Sequence, residues 1–166
     1  MPKQNEEAEN RSASGRLSRA ARRVRESRNL TLVEAAAATG ISRNTLFLIE
    51  TKAANARLST IDSLAQFMNV GPSQLLEKSP CLTPQLQDRH ALLTIVAENI
   101  AAFRASTNIS QEALGEAAGL AKGYVSLIEV SAPDLRINTV EAIAHVLGID
   151  VTFLLADSRE GLRAVR

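Results

Sequence analysis

Thr31 to Glu50 reads TLVEAAAATGISRNTLFLIE, and Ser110 to Glu129 reads SQEALGEAAGLAKGYVSLIE, the same plan displaced by 79 positions. Each stretch describes a short helix, a glycine turn and a second helix whose apolar residues are directed back at the first. Thr31 and Glu34 form a capping-box pair that starts the first of these helices. Its alanines leave room for a neighbour to approach closely. Gly40 ends it, since the residue past a helix C-terminus often needs a positive φ. Ser42 then caps the second helix, expected over Arg43 to Glu50.

The repetition reaches well beyond this stretch. Leu17 to Leu76 aligns onto Val96 to Leu155 without a gap, and Arg25, Asn29, Gly40, Glu50, Arg57 and Leu76 return as Arg104, Asn108, Gly119, Glu129, Arg136 and Leu155. Two copies, each long enough for its own core, predict a tandem of domains and not a solenoid. In the first copy a helix is expected from about Arg16 to Arg28. Ser59 and Asp62 read as a capping box for a fourth helix, and Pro72 opens a short fifth one. The second copy repeats the plan with helices over Ser110 to Ala118 and Ala121 to Val130, a capping box of Asn138 and Glu141, and a last helix at Val151 to Leu155.

The expected organisation is a disordered arm over 1–14, a first domain over 15–77, a proline-containing linker over 78–84, a second domain over 85–156 and a tail over 157–166. Thr83 and Pro84 start a long helix running to about Ser106, whose extra Leu86, His90, Leu92 and Leu93 call for a covering surface. With aromatics at only 3% of 166 residues, the cores must be filled by Leu, Ile, Val and Ala, which favours an all-α fold.

Composition excludes several function classes. A lone cysteine, Cys81, cannot form an internal disulfide, and Cys and His are too few for a structural zinc site. His90 and His145 stand without ligand or nucleophile patterns nearby. No metal or other cofactor is therefore expected, and no enzyme. The polar N-terminus lacks the apolar segment of a secretion signal and no apolar run reaches membrane-spanning length, so a cytoplasmic protein without membrane contact is expected. The net charge of +1 conceals an asymmetry, +4 up to Ser79 and −3 beyond it. The first half is the better match for a polyanion.

The helix, glycine turn, helix and Leu-Ile-Glu ending, with Leu58-Ser-Thr60-Ile61 and Ile137-Asn-Thr139-Val140 downstream, resemble the helix-turn-helix of the Cro and phage-repressor (XRE) class of bacterial DNA-binding regulators. That resemblance implies two tandem five-helix domains and a partner in double-stranded DNA. It also implies that the second motif helix meets base edges in the major groove while basic residues meet phosphates. It places Ser42, Arg43, Asn44 and Phe47 at the DNA in the first copy, with Lys52 and Arg22 beside them. In the second it places Lys122, Gly123, Tyr124 and Ser126, with Gln111 contacting phosphate or bracing the motif. Arg suits guanine, Asn adenine and Phe a thymine methyl. Phe47 is equally readable as core, and Ser42 is first a cap.

The first copy departs from the pattern with Leu32 in place of a glutamine. Both copies lack the usual glycine two residues after the glutamate, having Lys52 and Ser131. Arg25 with Glu50 and Arg104 with Glu129 are implied to be structural ion pairs. The implied function is a sequence-specific transcriptional regulator, a repressor by preference. The alternatives left open are a second domain that serves dimerisation or a protein partner, an antitoxin-type autorepressor among them, and a homodimer of whole chains. No domain is left over for a small-molecule effector.

Overall fold

The computed structural model describes residues 12–77 and 92–157. In the first repeat α1 spans Ala13–Ser27, α2 Leu32–Thr39, α3 Arg43–Lys52 and α4 Leu58–Met68, followed by a 3-10 turn at Pro72–Leu76. The second repeat has α5 Leu92–Ser106, α6 Gln111–Ala117, α7 Tyr124–Ser131, α8 Ile137–Val146 and α9 Val151–Leu155. The linker expected at 78–84, the extra helical residues at 85–91, and most of the arm and tail lie outside the described residues.

Local signals account for most of the helix ends. The Thr31 hydroxyl accepts the Glu34 amide while the Glu34 carboxylate accepts the Thr31 amide, the reciprocal box expected there. Hydrogen bonds from Thr31 also hold the Glu34 carboxyl below its ordinary pKa. Ser42 and Ser110 cap α3 and α6, and Gly40 closes α2 at φ 70°. Both repeats then place an alanine in left-handed backbone, Ala53 and Ala132 at φ 44°. The position that would favour glycine is therefore one residue later than Lys52 and Ser131.

The repeats share one core. Leu17, Ile49, Leu58, Ile61, Leu75 and Leu76 belong to the same contiguous buried cluster as Ile100, Leu114, Ile128, Ile137, Ile143 and Leu154. Each such side chain contributes about 1.5–3 kcal/mol by leaving water. Leu92 is buried in this cluster and Leu93 packs against it.

Their contact has an approximate two-fold symmetry centred on Arg57 and Arg136, which form an isolated antiparallel bridge and occupy equivalent repeat positions. The Leu58 amide donates to the Leu135 carbonyl at 2.9 Å, and the Ile137 amide donates to the Ala56 carbonyl at 2.8 Å. The Ser59 amide donates to Asp134 Oδ1 and the Asn138 amide to Asn55 Oδ1, both at 3.0 Å. Each bond has a counterpart at the equivalent positions, the signature of an isologous interface.

These bonds overturn the two downstream capping boxes. Helices α4 and α8 have Arg57 and Arg136 at their N-caps, with no side-chain cap of their own. Their first-turn amides, which have no partner inside a helix, are satisfied by the opposite repeat. Ser59 Oγ donates to Asp134 Oδ2 at 2.8 Å, and the Asn138 and Glu141 side chains accept from Ser14 Oγ and the Ala13 amide at 2.7 Å.

Three further boundaries differ. Helix α1 begins at Ala13, earlier than the expected arm allows, because Ala13 and Ser14 are buried through those long-range bonds and Ser12 caps the helix. The fifth element of the first repeat is a 3-10 turn. Helix α7 starts at Tyr124 and not at Ala121, as described below.

Candidate nucleic-acid interface

In both repeats an arginine on the first helix fixes the second motif helix. The Arg25 guanidinium reaches Glu50 with Nε 2.9 Å from Oε1 and Nη2 2.9 Å from Oε2, while its Nη1 donates to the Leu30 carbonyl. Arg104 repeats this with Glu129 at 2.7 and 3.1 Å and with the Ile109 carbonyl. These fork-to-fork geometries tie α1 to α3 and α5 to α7.

The Glu50 side chain is 4% exposed, so the arrangement holds only while its charge remains paired. Burial pushes the Glu129 carboxyl up, but hydrogen bonds from Arg104 and Gln111 outweigh it and leave the pKa below the ordinary value. Gln111 is thus positioned as a brace, its Nε2 2.7 Å from Glu129 Oε2. Its counterpart Leu32 instead packs against the core.

The outer side of α3 is polar at its start. Ser42 Oγ accepts the Thr45 amide at 3.1 Å, and Arg43 and Asn44 are exposed in the first turn. Phe47, one turn on, is 42% exposed and so is not a core residue. Lys52 is exposed at the end of α3. On α1, Arg22 is exposed and donates Nε to Glu26 at 2.9 Å, a pair that lowers the Glu26 pKa and raises that of Arg22.

The second repeat places its candidates differently. Ala121, Lys122 and Gly123 form a turn before α7, and Gly123 is the N-cap at φ 77°, a conformation that L-residues rarely adopt. Lys122 and Gly123 therefore stand ahead of the helix, whereas Arg43 and Asn44 are inside theirs. The physical reason is the glycine itself, which is costly within a helix and at ease in left-handed backbone.

Lys122 Nζ lies 3.6 Å from Glu112 in an exposed pair. Tyr124 is half-buried and packs against the core, and Ser126 is partly covered. A depression of about 410 Å³ runs along α6 beside this turn, lined by residues including Gln111, Glu116, Leu120 and Lys122.

The residues that join the repeats, Asn55, Arg57, Asp134 and Arg136, were not foreseen as interacting. Their signal is the repeat itself, because a two-fold contact brings a position near its own copy. Among the described residues no group of His, Cys, Asp and Glu is arranged to hold a metal ion, and no helix is long and apolar enough to cross a membrane.

Comparison with known proteins supplies the context for this pair of motifs. The helix-turn-helix family model matches twice, at residues 22–75 and 100–154, which together exceed half of the chain. The chain is 32% identical to a Neisseria hypothetical transcription factor from Neisseria meningitidis serogroup B over 82 residues, 49% of this chain and 77% of that protein. It is 35% identical to control protein C.SmaI of Serratia marcescens over 69 residues, 42% of this chain and 80% of that protein. The crystal structure of hypothetical transcription factor NHTF from Neisseria covers 50% of the chain and 95% of its own, at 31% identity and a TM-score of 0.43. With two family motifs on an all-α scaffold, the chain belongs to the helix-turn-helix family of the XRE type and is a DNA-binding transcriptional regulator, not an enzyme.

Proposed function

We propose that the chain is a cytoplasmic repressor that reads one operator with two unequal half-sites, using the N-terminal ends of α3 and α7 in the major groove. The two repeats are its two DNA-reading domains, the first beginning at the Ser12 cap of α1. The observation that carries this reading is the two-fold pattern of bonds about Arg57 and Arg136, which joins the two repeats through equivalent positions. Heads related by a two-fold read inverted half-sites, about 34 Å apart when they fall one helical turn along the duplex. Arg43, Asn44 and Phe47 serve one arm, with Arg22 and Lys52 on phosphates. Lys122, Gly123, Tyr124 and Ser126 serve the other, so the arms differ in sequence. Gln111 acts through Glu129 as a brace.

Selection of bound duplexes from a random pool by the full chain tests this. Two dissimilar inverted arms are expected, and an operator placed over a reporter promoter should lower expression. A single arm would defeat the two-headed reading.

One observation favours a second reading, in which the second domain faces a protein. Leu127 and Val130 on α7 are 50% and 84% exposed, and the Val130 position is Thr51 in the first repeat. With the negative charge of that half, this suits a protein partner better than phosphate. A single-armed operator together with a co-purifying partner would support it.

A further inference from the structure

The symmetric hydrogen bonds between the repeats are made through positions that both copies possess, so a pair of like repeats would form most of them equally well. They give affinity without identity. Identity resides in contacts whose equivalents do not match. Arg16 Nη1 lies 3.1 and 3.2 Å from the Asp150 carboxylate, and the Arg16 side chain is 4% exposed. The equivalents of Arg16 and Asp150 in the other copies are Ile95 and Gly71. Ser14 Oγ donates to Asn138 Oδ1 at 2.7 Å, and the equivalents of that pair are Leu93 and Ser59.

We propose that this interface encodes a choice of partner: each repeat accepts the unlike repeat and rejects its own kind, which makes the chain a self-sufficient monomer always carrying one head of each sort. If two first repeats paired, both Arg16 side chains would be buried opposite Gly71 with no carboxylate. If two second repeats paired, Asp150 would face Ile95 and Asn138 would face Leu93. Arg16 Nε has no hydrogen-bond partner among the described residues, so the tolerance of this buried guanidinium rests on Asp150. A paired charge is acceptable there and an orphaned one is not. Asp150 loses less by mispairing, because it is partly exposed and still caps α9 through the Thr152 amide at 3.0 Å. The code is therefore stricter against like pairs of the first repeat.

The claim concerns pairing alone and stands whether one head or both bind DNA. The test uses the full-length chain with a protease site inserted between residues 78 and 91, examined by native mass spectrometry at micromolar concentration before and after cleavage. The intact chain is expected at a monomer mass, and the cleaved chain as a complex of one fragment of each kind. A dimer of intact chains, or fragments sorted into like pairs, would overturn the proposal.

In Arg16→Ile, which installs the residue of the equivalent position, like pairs of the first fragment should rise at least tenfold after cleavage while helical circular dichroism is retained. Asp150→Asn, which keeps an acceptor for Thr152 and removes the charge, should act in the same direction. If either variant folds and still yields only unlike pairs, the code does not lie in this ion pair and the proposal fails.

Discussion

Helices α3 and α7 hold equivalent places in the two repeats and are built to different standards. Helix α3 starts on a serine cap and offers Arg43, Asn44 and Phe47 from its first two turns. Helix α7 starts later, on a left-handed glycine, and carries an exposed Val130 where α3 has Thr51. Behind them the supports are kept, with the same arginine-to-glutamate fork, the same left-handed alanine and the same shared bonds to the other repeat. Scaffold and exposed face are therefore separable in this fold: the face changed while the parts that aim it stayed fixed.

The largest effect should come from breaking the aim in one repeat. Glu50→Ala leaves Arg25 without its carboxylate in a largely buried site, and a loss of about 3 kcal/mol in unfolding free energy is expected in urea titrations. Because the two repeats share a core, the loss should appear in a single transition and not as the early melting of one half.

The face comes next. Arg43→Ala should reduce affinity for the selected operator by about 10- to 100-fold, the scale of one base-reading pair, and leave random duplex nearly unaffected. Arg22→Ala should weaken both duplexes alike and flatten the salt slope by about one unit. Fluorescence anisotropy with the two duplexes across a salt series separates these outcomes. Equal losses for Arg43→Ala would show that α3 does not read bases.

Gln111→Leu converts the brace of the second repeat to the residue found in the first. Loss of a hydrogen bond to a charged group should cost about 1.5 kcal/mol at neutral pH. A carboxyl with a depressed folded pKa contributes its stability above the unfolded value, about 4.3 for Glu, and loses it as pH falls through the folded one. The Glu129 carboxyl pKa is held down by Arg104 and Gln111, so the gap between wild type and variant should narrow once the pH falls below the unfolded value of about 4.3. A gap that persisted undiminished well below that pH would mean that Gln111 does not act through Glu129.

The smallest effect tests the start of α7. Gly123→Ala meets no atom within 4 Å, so its cost comes from the positive φ alone, about 1 kcal/mol. The strain can be relieved if the turn winds into the helix as in α3. Amide chemical shifts at Lys122 and Tyr124 in the variant would report that change, and an unchanged turn with no loss of stability would dismiss the account of why the two faces differ.

Much of this was legible before any coordinates. The repeat in register, the glycines after α2 and α6 and the hydroxyl caps are local signals, and the structure follows them. The pairs Arg25 with Glu50 and Arg104 with Glu129 were implied by the family resemblance, and the structure joins each in a fork.

What stayed hidden depends on distant chain. Ser59 with Asp62 had the spacing of a capping box, yet Asp134 and Leu135 from the other repeat reach those amides first. The stretch over 1–14 has too little apolar content to predict packing, and Ala13 and Ser14 are ordered by Glu141 and Asn138 of the other repeat. Gly123 sat in a helical pattern shared with Asn44, and only its backbone conformation shows that the helix had not yet begun. On the candidate interface, exposure separated Phe47 from the core, which its apolar ring alone did not.

The helix openings completed by the opposite repeat also bear on the order of events at the ribosome. Synthesis delivers the first repeat while the segment from Asp134 to Asn138 is still unmade, so the leading turn of α4 emerges with its amides exposed to water. Each half leaves these openings to be completed by the other. The nascent chain must wait for its second verse before the first can close, and the closing step joins residues more than seventy positions apart, the kind of distant pairing that slows folding.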